Sequence, residues 1–116
     1  MSTPLYQLKA EFFKTLGHPV RIRVLELLSQ RELAVADLVA EVGVEPAHLS
    51  QQLTVLRHAG LVTTRKAGSA AFYSLTSPEI AGLLVVARRI LSGVLSGQME
   101  LLADLRAPVP PVRHSG

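Results

Sequence analysis

His48, Ser50, Gln51, Gln52 and Thr54 crowd one short stretch of the chain, and each can form hydrogen bonds without carrying an acidic charge. Arg57, Arg65 and Lys66 follow soon after, and no carboxylate occurs from Pro46 through Pro78. Such a set suits a polyanion. Polar groups can meet its edges, cations can meet its phosphates, and nothing in the segment repels it. This is the chemistry that a reader of duplex DNA needs.

The elements that must position these groups follow from the spacing around them. Leu49, Leu53 and Leu56 recur at helical intervals, so Pro46 to His58 is predicted to be a helix with one apolar and one polar face. Pro46 suits its first turn and Gly60 its end. Val62 to Lys66 and Ala70 to Leu75 flank a Gly68-Ser69 turn, which is the pattern of a β-hairpin. Upstream, Thr3-Pro4 opens a helix to about residue 16, with Leu5, Leu8, Phe12, Phe13 and Leu16 on one stripe. Gly17-His18-Pro19 breaks it, and Pro19 starts a second helix to about Ser29 that buries Val20, Val24, Leu27 and Leu28. His18 is explained by that break. A turn from Gln30 to Leu33 leads to a third helix, about Val35 to Glu41, closed by Gly43.

Ser77-Pro78-Glu79 reads as the cap and first turn of a final helix, with no further proline until Pro108. About 29 residues of helix would extend ~43 Å, whereas a compact domain of this size has a radius of gyration of only ~13 Å. The helix is also apolar on more than one face, through Leu83, Leu84, Ala87, Ile90, Leu91 and Val94 among others. A homodimer built on this helix, together with Leu5, Leu8 and Phe12 of the first, accounts for both features. A long helix wrapping its own core is the plainer alternative. The domain then spans residues 1–106, and residues 107–116 form a disordered, proline-rich tail.

Composition narrows the function further. The chain has 116 residues, enough for one domain, and 12 Lys and Arg against 9 acids leave a net charge of +3. That mild excess fits a nucleic-acid partner without requiring one. There is no cysteine, which excludes disulfides, thiol nucleophiles and thiolate metal sites. No signal peptide is evident, and the longest unbroken apolar run, Ile80 to Ala87, falls short of the ~20 residues of a membrane helix. A soluble cytoplasmic protein with no membrane role is the expectation. No phosphate-cradling glycine loop, metal box or catalytic carboxylate pair is present, so an enzyme is not expected.

Taken together, FFKTLGHPVRIRVLELL, ELAVADL, SQQLTVLRHAGLVTTRKAGSAAFYSL and the long last helix resemble the ArsR/SmtB family of winged-helix repressors. The match covers about residues 5 to 105, and the first helices are most similar to a cysteine-less mycobacterial member linked to low-oxygen regulation. The resemblance implies a mainly α fold with a small β-hairpin, the winged helix-turn-helix, assembled as a homodimer through the first and last helices. It makes Pro46 to His58 the recognition helix, with His48, Ser50, Gln51 and Gln52 facing DNA. Glutamine can pair with adenine in a bidentate manner, and serine can bind a base edge or a phosphate. Arg57 is a further candidate, open to pairing with a neighbouring carboxylate instead. The hairpin becomes the wing, with Arg65, Lys66 and Ser69 toward the backbone of the duplex. Ser69 and Ala70 stand where many relatives carry an arginine and a bulky residue, which weakens the case for minor-groove insertion. Phe72, Tyr73 and Leu75 are packing residues.

The resemblance also carries a sensor half that this chain lacks. Ala34 and Ala36 occupy the family's cysteine-ligand positions, and Ser77, Glu79, Ile90 and Gly93 those of its second metal site. One donor among four cannot hold zinc, so no metal or other cofactor is expected. Gly82, Gly93 and Gly97 weaken the last helix, each by up to about 1 kcal/mol. Close approach of two helices explains them, as does a cavity near Phe12, Leu84, Ala87 and Leu91 for an unidentified apolar effector. The expected function is sequence-specific DNA binding by a homodimeric repressor at an inverted-repeat operator. The alternative is a winged-helix module whose long helix binds a partner protein.

Overall fold

The computed structural model describes residues 2–106, so the expected tail at 107–116, with His114, lies outside the described residues. The element order is α1 (Leu5–Leu16), α2 (Pro19–Leu28), β1 (Leu33–Ala34), α3 (Val35–Val42), α4 (Pro46–His58), β2 (Val62–Ala67), β3 (Ala70–Leu75) and α5 (Pro78–Arg106). The three strands form an antiparallel sheet in the order β1-β3-β2. Helices α3 and α4 with their short connection form the helix-turn-helix, and the β2–β3 hairpin is the wing.

Local chemistry explains the boundaries. His18 is the N-cap of α2: its extended backbone leaves the helix, and its Nδ1 accepts a hydrogen bond from the Val20 N–H at 3.1 Å. Pro19 then occupies the first helical position, where its missing N–H costs nothing. At the far end of α4, Gly60 takes a left-handed φ of 77°. The Leu61 N–H reaches the Leu56 carbonyl and the Gly60 N–H reaches that of Arg57, both at 3.0 Å, which is the Schellman arrangement. In the wing, Ala67 pairs with Ala70 across a two-residue loop. Gly68 at φ 63° followed by Ser69 fits the type II′ turn that such tight hairpins favour.

Two expectations change. Thr3 does not cap α1; Pro4 stands at the N-cap, and its carbonyl accepts from the Gln7 and Leu8 N–H groups. The segment expected as a plain turn before α3 contains β1, which pairs Leu33 with Tyr73 and Ala34 with Phe72. Two residues are too few to show an alternating pattern, so this strand exists only through its partner.

The core is aliphatic. Val24, Leu25, Leu38, Leu49 and Leu56 are fully enclosed, with Leu16, Leu28, Leu33, Leu53, Val62 and Ile80 around them. Val20, Tyr73, Leu75, Leu83 and Leu84 pack against this cluster from its margin. Thr76 ties the wing to the recognition helix, since its hydroxyl donates to the Gly60 carbonyl at 2.7 Å and its N–H to that of Leu61 at 3.1 Å.

The chain divides into two compact units at Leu84. The start of α5 belongs to the first, capped by the Ser77 hydroxyl, which accepts from the Glu79 N–H at 3.2 Å. In the second, Ile90, Leu91, Leu95 and Leu101 are all more than half exposed. By length and composition α5 could cross a membrane, which the longest unbroken apolar run did not indicate. Arg88 and Arg89 lie side by side within it. At the centre of a bilayer each would cost about 2.5–3.5 kcal/mol, whereas on a helix beside protein both heads can stay in water.

Candidate nucleic-acid interface

The polar face of α4 survives folding in part. Ser50, Gln51, Thr54, Arg57 and His58 are exposed, while Leu49, Gln52, Leu53 and Leu56 point inward. Thr54 spends its hydroxyl proton on the Ser50 carbonyl at 3.0 Å. This leaves Ser50 and Gln51, with His58 at the far end of the helix, as the exposed groups able to both donate and accept. Arg57 makes no ion pair among the described residues, where the pairs are Arg23–Glu26 and Arg65–Glu32. The carboxylate considered as its partner is therefore absent there, and its charge remains available to an anion.

Gln52 is a correction. It is 8% exposed, and its Oε1 accepts from Arg21 Nε at 2.8 Å. The reason is helical geometry, because position 52 follows Leu49 by three and falls on the same side as Leu53 and Leu56. His48 is half-buried rather than displayed, with its ring centroid 5.9 Å from that of His18. Two histidines far apart in sequence thus meet at the starts of α2 and α4.

Arg65 is drawn into contacts within the sheet, although its side chain stays 57% exposed. Its Nε and one terminal nitrogen grip both oxygens of Glu32 at 2.6 to 3.0 Å, and its guanidinium lies 4.8 Å from the Phe72 ring centroid. Register explains the stacking, since Arg65 is the cross-strand partner of Phe72. Strand β1 explains the ion pair, because it places Glu32, just ahead of Leu33, across the central strand β3 from Arg65. The bidentate bond holds the Glu32 carboxyl below its ordinary pKa and raises that of Arg65. Lys66 and Ser69 stay exposed, and Lys66 makes no ion pair among the described residues.

An apolar depression of about 370 Å³ lies between α1, the two loops beside the wing and the start of α5. Phe12, Leu61, Ile80 and Leu83 line it, with Thr76, Ser77 and Glu79 at its polar margin. Of the expected effector cavity only Phe12 takes part: Leu84 packs on the core, and Leu91 is 58% exposed. The expected dimer residues Leu5, Leu8, Ile90, Leu91 and Val94 are exposed, and Phe12, Leu83, Leu84 and Ala87 half-exposed.

Sequence reasoning gave no partner for two residues beside this surface, Arg21 and Glu32. Each acts through a partner more than thirty positions away, and no local pattern announces such a pair. Gln52 was readable, since counting its spacing from Leu49 places it inside.

Comparison with known proteins fits this geometry. Residues 18–64 match the model of the bacterial regulatory protein, arsR family. Rv0081 of Mycobacterium tuberculosis, an uncharacterized HTH-type transcriptional regulator, is 57% identical over 107 residues, covering 91% of this chain and 94% of its own. Its crystal structure superposes with a TM-score of 0.78 at 56% identity, over 84% of this chain and 99% of that one. The transcriptional repressor BigR from Xylella fastidiosa gives 0.69 at 38% identity, over 73% and 87%. The homodimeric winged helix-turn-helix DNA-binding domain of Mb0332 from Mycobacterium bovis gives 0.72 at 27% identity, over 80% and 86%. The chain belongs to the arsR family of bacterial regulatory proteins and has the winged helix-turn-helix fold of its transcriptional regulators.

Proposed function

We propose that the protein is a cytoplasmic, homodimeric repressor that binds an inverted-repeat operator, with α4 of each subunit in the major groove. The observation that carries this reading is the exposed, acid-free face of Ser50, Gln51 and Thr54 ending in Arg57, which has no ion-pair partner among the described residues. Gln51 is the base reader, and Ser50 holds a base edge or a phosphate. Lys66 and Ser69 meet the phosphate backbone from the wing, setting affinity more than sequence choice. Arg65 serves the wing through Glu32 and Phe72 instead of the duplex.

Homodimerisation rests on α1 and α5, whose leucines, isoleucine and valines stand exposed, and on the homodimeric state of the Mb0332 domain. A two-fold dimer of this fold reads half-sites about 34–36 Å apart. The relatives described as regulators and a repressor support DNA binding over the protein-interaction reading.

Footprinting on the DNA upstream of its own gene tests the proposal. The expected result is a symmetric protected region whose protection disappears with Gln51→Ala while the dimer persists. Undiminished specific protection by that variant would sink the assignment of α4 as the reader.

A further inference from the structure

Three helices meet at one polar corner. Arg21, in the first turns of α2, donates from Nε to Gln52 Oε1 on α4 at 2.8 Å, and from Nη1 to the Thr15 carbonyl of α1 at 3.0 Å. That carbonyl lies in the last turn of α1, where the helix supplies no partner of its own. Beside this bridge, the rings of His18 and His48 bring the starts of α2 and α4 together. One planar guanidinium therefore fastens the end of α1 to the inner face of the recognition helix. Lysine would hold such a bridge less firmly, because its three donors rotate on a flexible stem whereas the guanidinium presents a fixed planar fork.

The chemistry of the bridge also limits Gln52. Arginine only donates, so the amide atom facing it must be the oxygen. The amide nitrogen has no partner among the described residues, yet no buried polar side-chain atom there is left unsatisfied. It therefore keeps access to solvent. Bidentate recognition of adenine needs the amide oxygen and nitrogen together at the base edge, whereas the oxygen of the 8%-exposed Gln52 is turned inward onto Arg21, so that pair is out of its reach. The two adjacent glutamines have different tasks.

We propose that Arg21 is a positioning residue for operator recognition: it sets the pitch of α4 against α1 and holds the Gln52 amide oxygen turned inward, reserving base reading for Gln51. The proposal rests on the reading of α4 as the recognition helix. Through it, α1 is coupled to the angle at which Gln51 meets a base.

The test compares the full-length protein with Arg21→Met/Gln52→Leu, which replaces the buried polar pair by apolar groups that α4 already accommodates at Leu49 and Leu53. Such a double replacement tends to leave stability near neutral, with the Thr15 carbonyl at the end of α1 left to water. Affinity is measured for the footprinted operator and for a scrambled duplex of equal length. The expected result is an unchanged melting temperature and dimer, about tenfold weaker operator binding, and scrambled-duplex binding within about twofold. Undiminished operator affinity overturns the proposal. So does an equal loss on both duplexes, which would make Arg21 a phosphate contact. If the double variant fails to fold, Arg21→Lys decides. It should lose about three- to tenfold on the operator alone, and wild-type affinity there overturns the proposal. Gln51→Ala runs alongside. If it binds the operator like wild type, the reading of α4 fails, a result distinct from failure of the Arg21 bridge.

Discussion

On α4, Leu49, Leu53 and Leu56 are sealed at 0–2% exposure, whereas on α5 Ile90, Leu91 and Val94 keep 61%, 58% and 49%. Both helices repeat apolar residues at the spacing of one helical face. The difference lies in what each face meets. The stripe of α4 finds Val24, Leu25 and Leu38 of its own chain in the same cluster, so its burial contributes to folding. Among the described residues, the stripe of α5 beyond Leu84 has no such cover within its unit, and we propose it as an association surface. Periodicity specifies a face; only packing says whether the chain covers it alone.

The sharpest way to break the comparison is to delete the same atoms on each helix. Leu53→Ala should lower folding stability by about 2–5 kcal/mol at any protein concentration, read by denaturant unfolding. Leu91→Ala should produce a loss that depends on protein concentration, since it acts through subunit association. A concentration-independent loss there would return α5 to the chain's own core.

Next in size is the pair Leu91→Glu with Val94→Glu. Sedimentation should show a monomer, and operator affinity should fall by about a hundredfold or more as two linked half-site contacts become separate. A dimer that survives both charges would exclude this part of α5 from the interface.

The adjacent glutamines repeat the contrast on a single helix. Gln51→Ala should weaken operator binding by about 1–3 kcal/mol and leave thermal unfolding unchanged. Gln52→Ala should lower folding stability by about 1–3 kcal/mol, because it strands the Arg21 N–H in a part-buried site. Binding isotherms and melting curves on both variants would show whether the two effects separate this way.

The wing offers a smaller contrast between a free and a paired cation. Lys66→Ala should make the slope of log affinity against log salt shallower by about 0.9 for each phosphate that the ammonium neutralises. Arg65→Ala should change it less, because Glu32 already meets that charge. The smallest effect is on pH dependence. The folded pKa of Glu32 is depressed, so the ion pair contributes stability above the ordinary carboxylate pKa, and this is lost as pH falls through the lowered value. Glu32→Gln should therefore flatten slightly the acid side of the stability profile. Both groups are exposed to solvent, so the change should be near the detection limit of thermal scans.

Much of this arrangement was legible beforehand. The bounds of α4, the Gly68-Ser69 turn and the run of α5 to Arg106 all follow from local rules, namely proline at a helix start, glycine at a left-handed turn, and spacing between leucines. The exposure of Ser50 and Gln51 was legible for the same reason. His48 and Arg65 were not, because each is decided by a neighbour remote in sequence, His18 and Glu32; for Gln52 the spacing showed the burial but not the Arg21 partner.

The sequence by itself determined every element except β1, the acid-free stretch and the family, because these depend on residue types at short spacings. The tertiary structure alone decided which polar groups remain free to act. Helix α2 takes Gln52 inward through Arg21, and the two-residue strand β1 brings Glu32 to Arg65. Both outcomes follow from hydrogen-bonding groups that burial or proximity obliges to pair, and that pairing is a property of the folded chain rather than of any window along it.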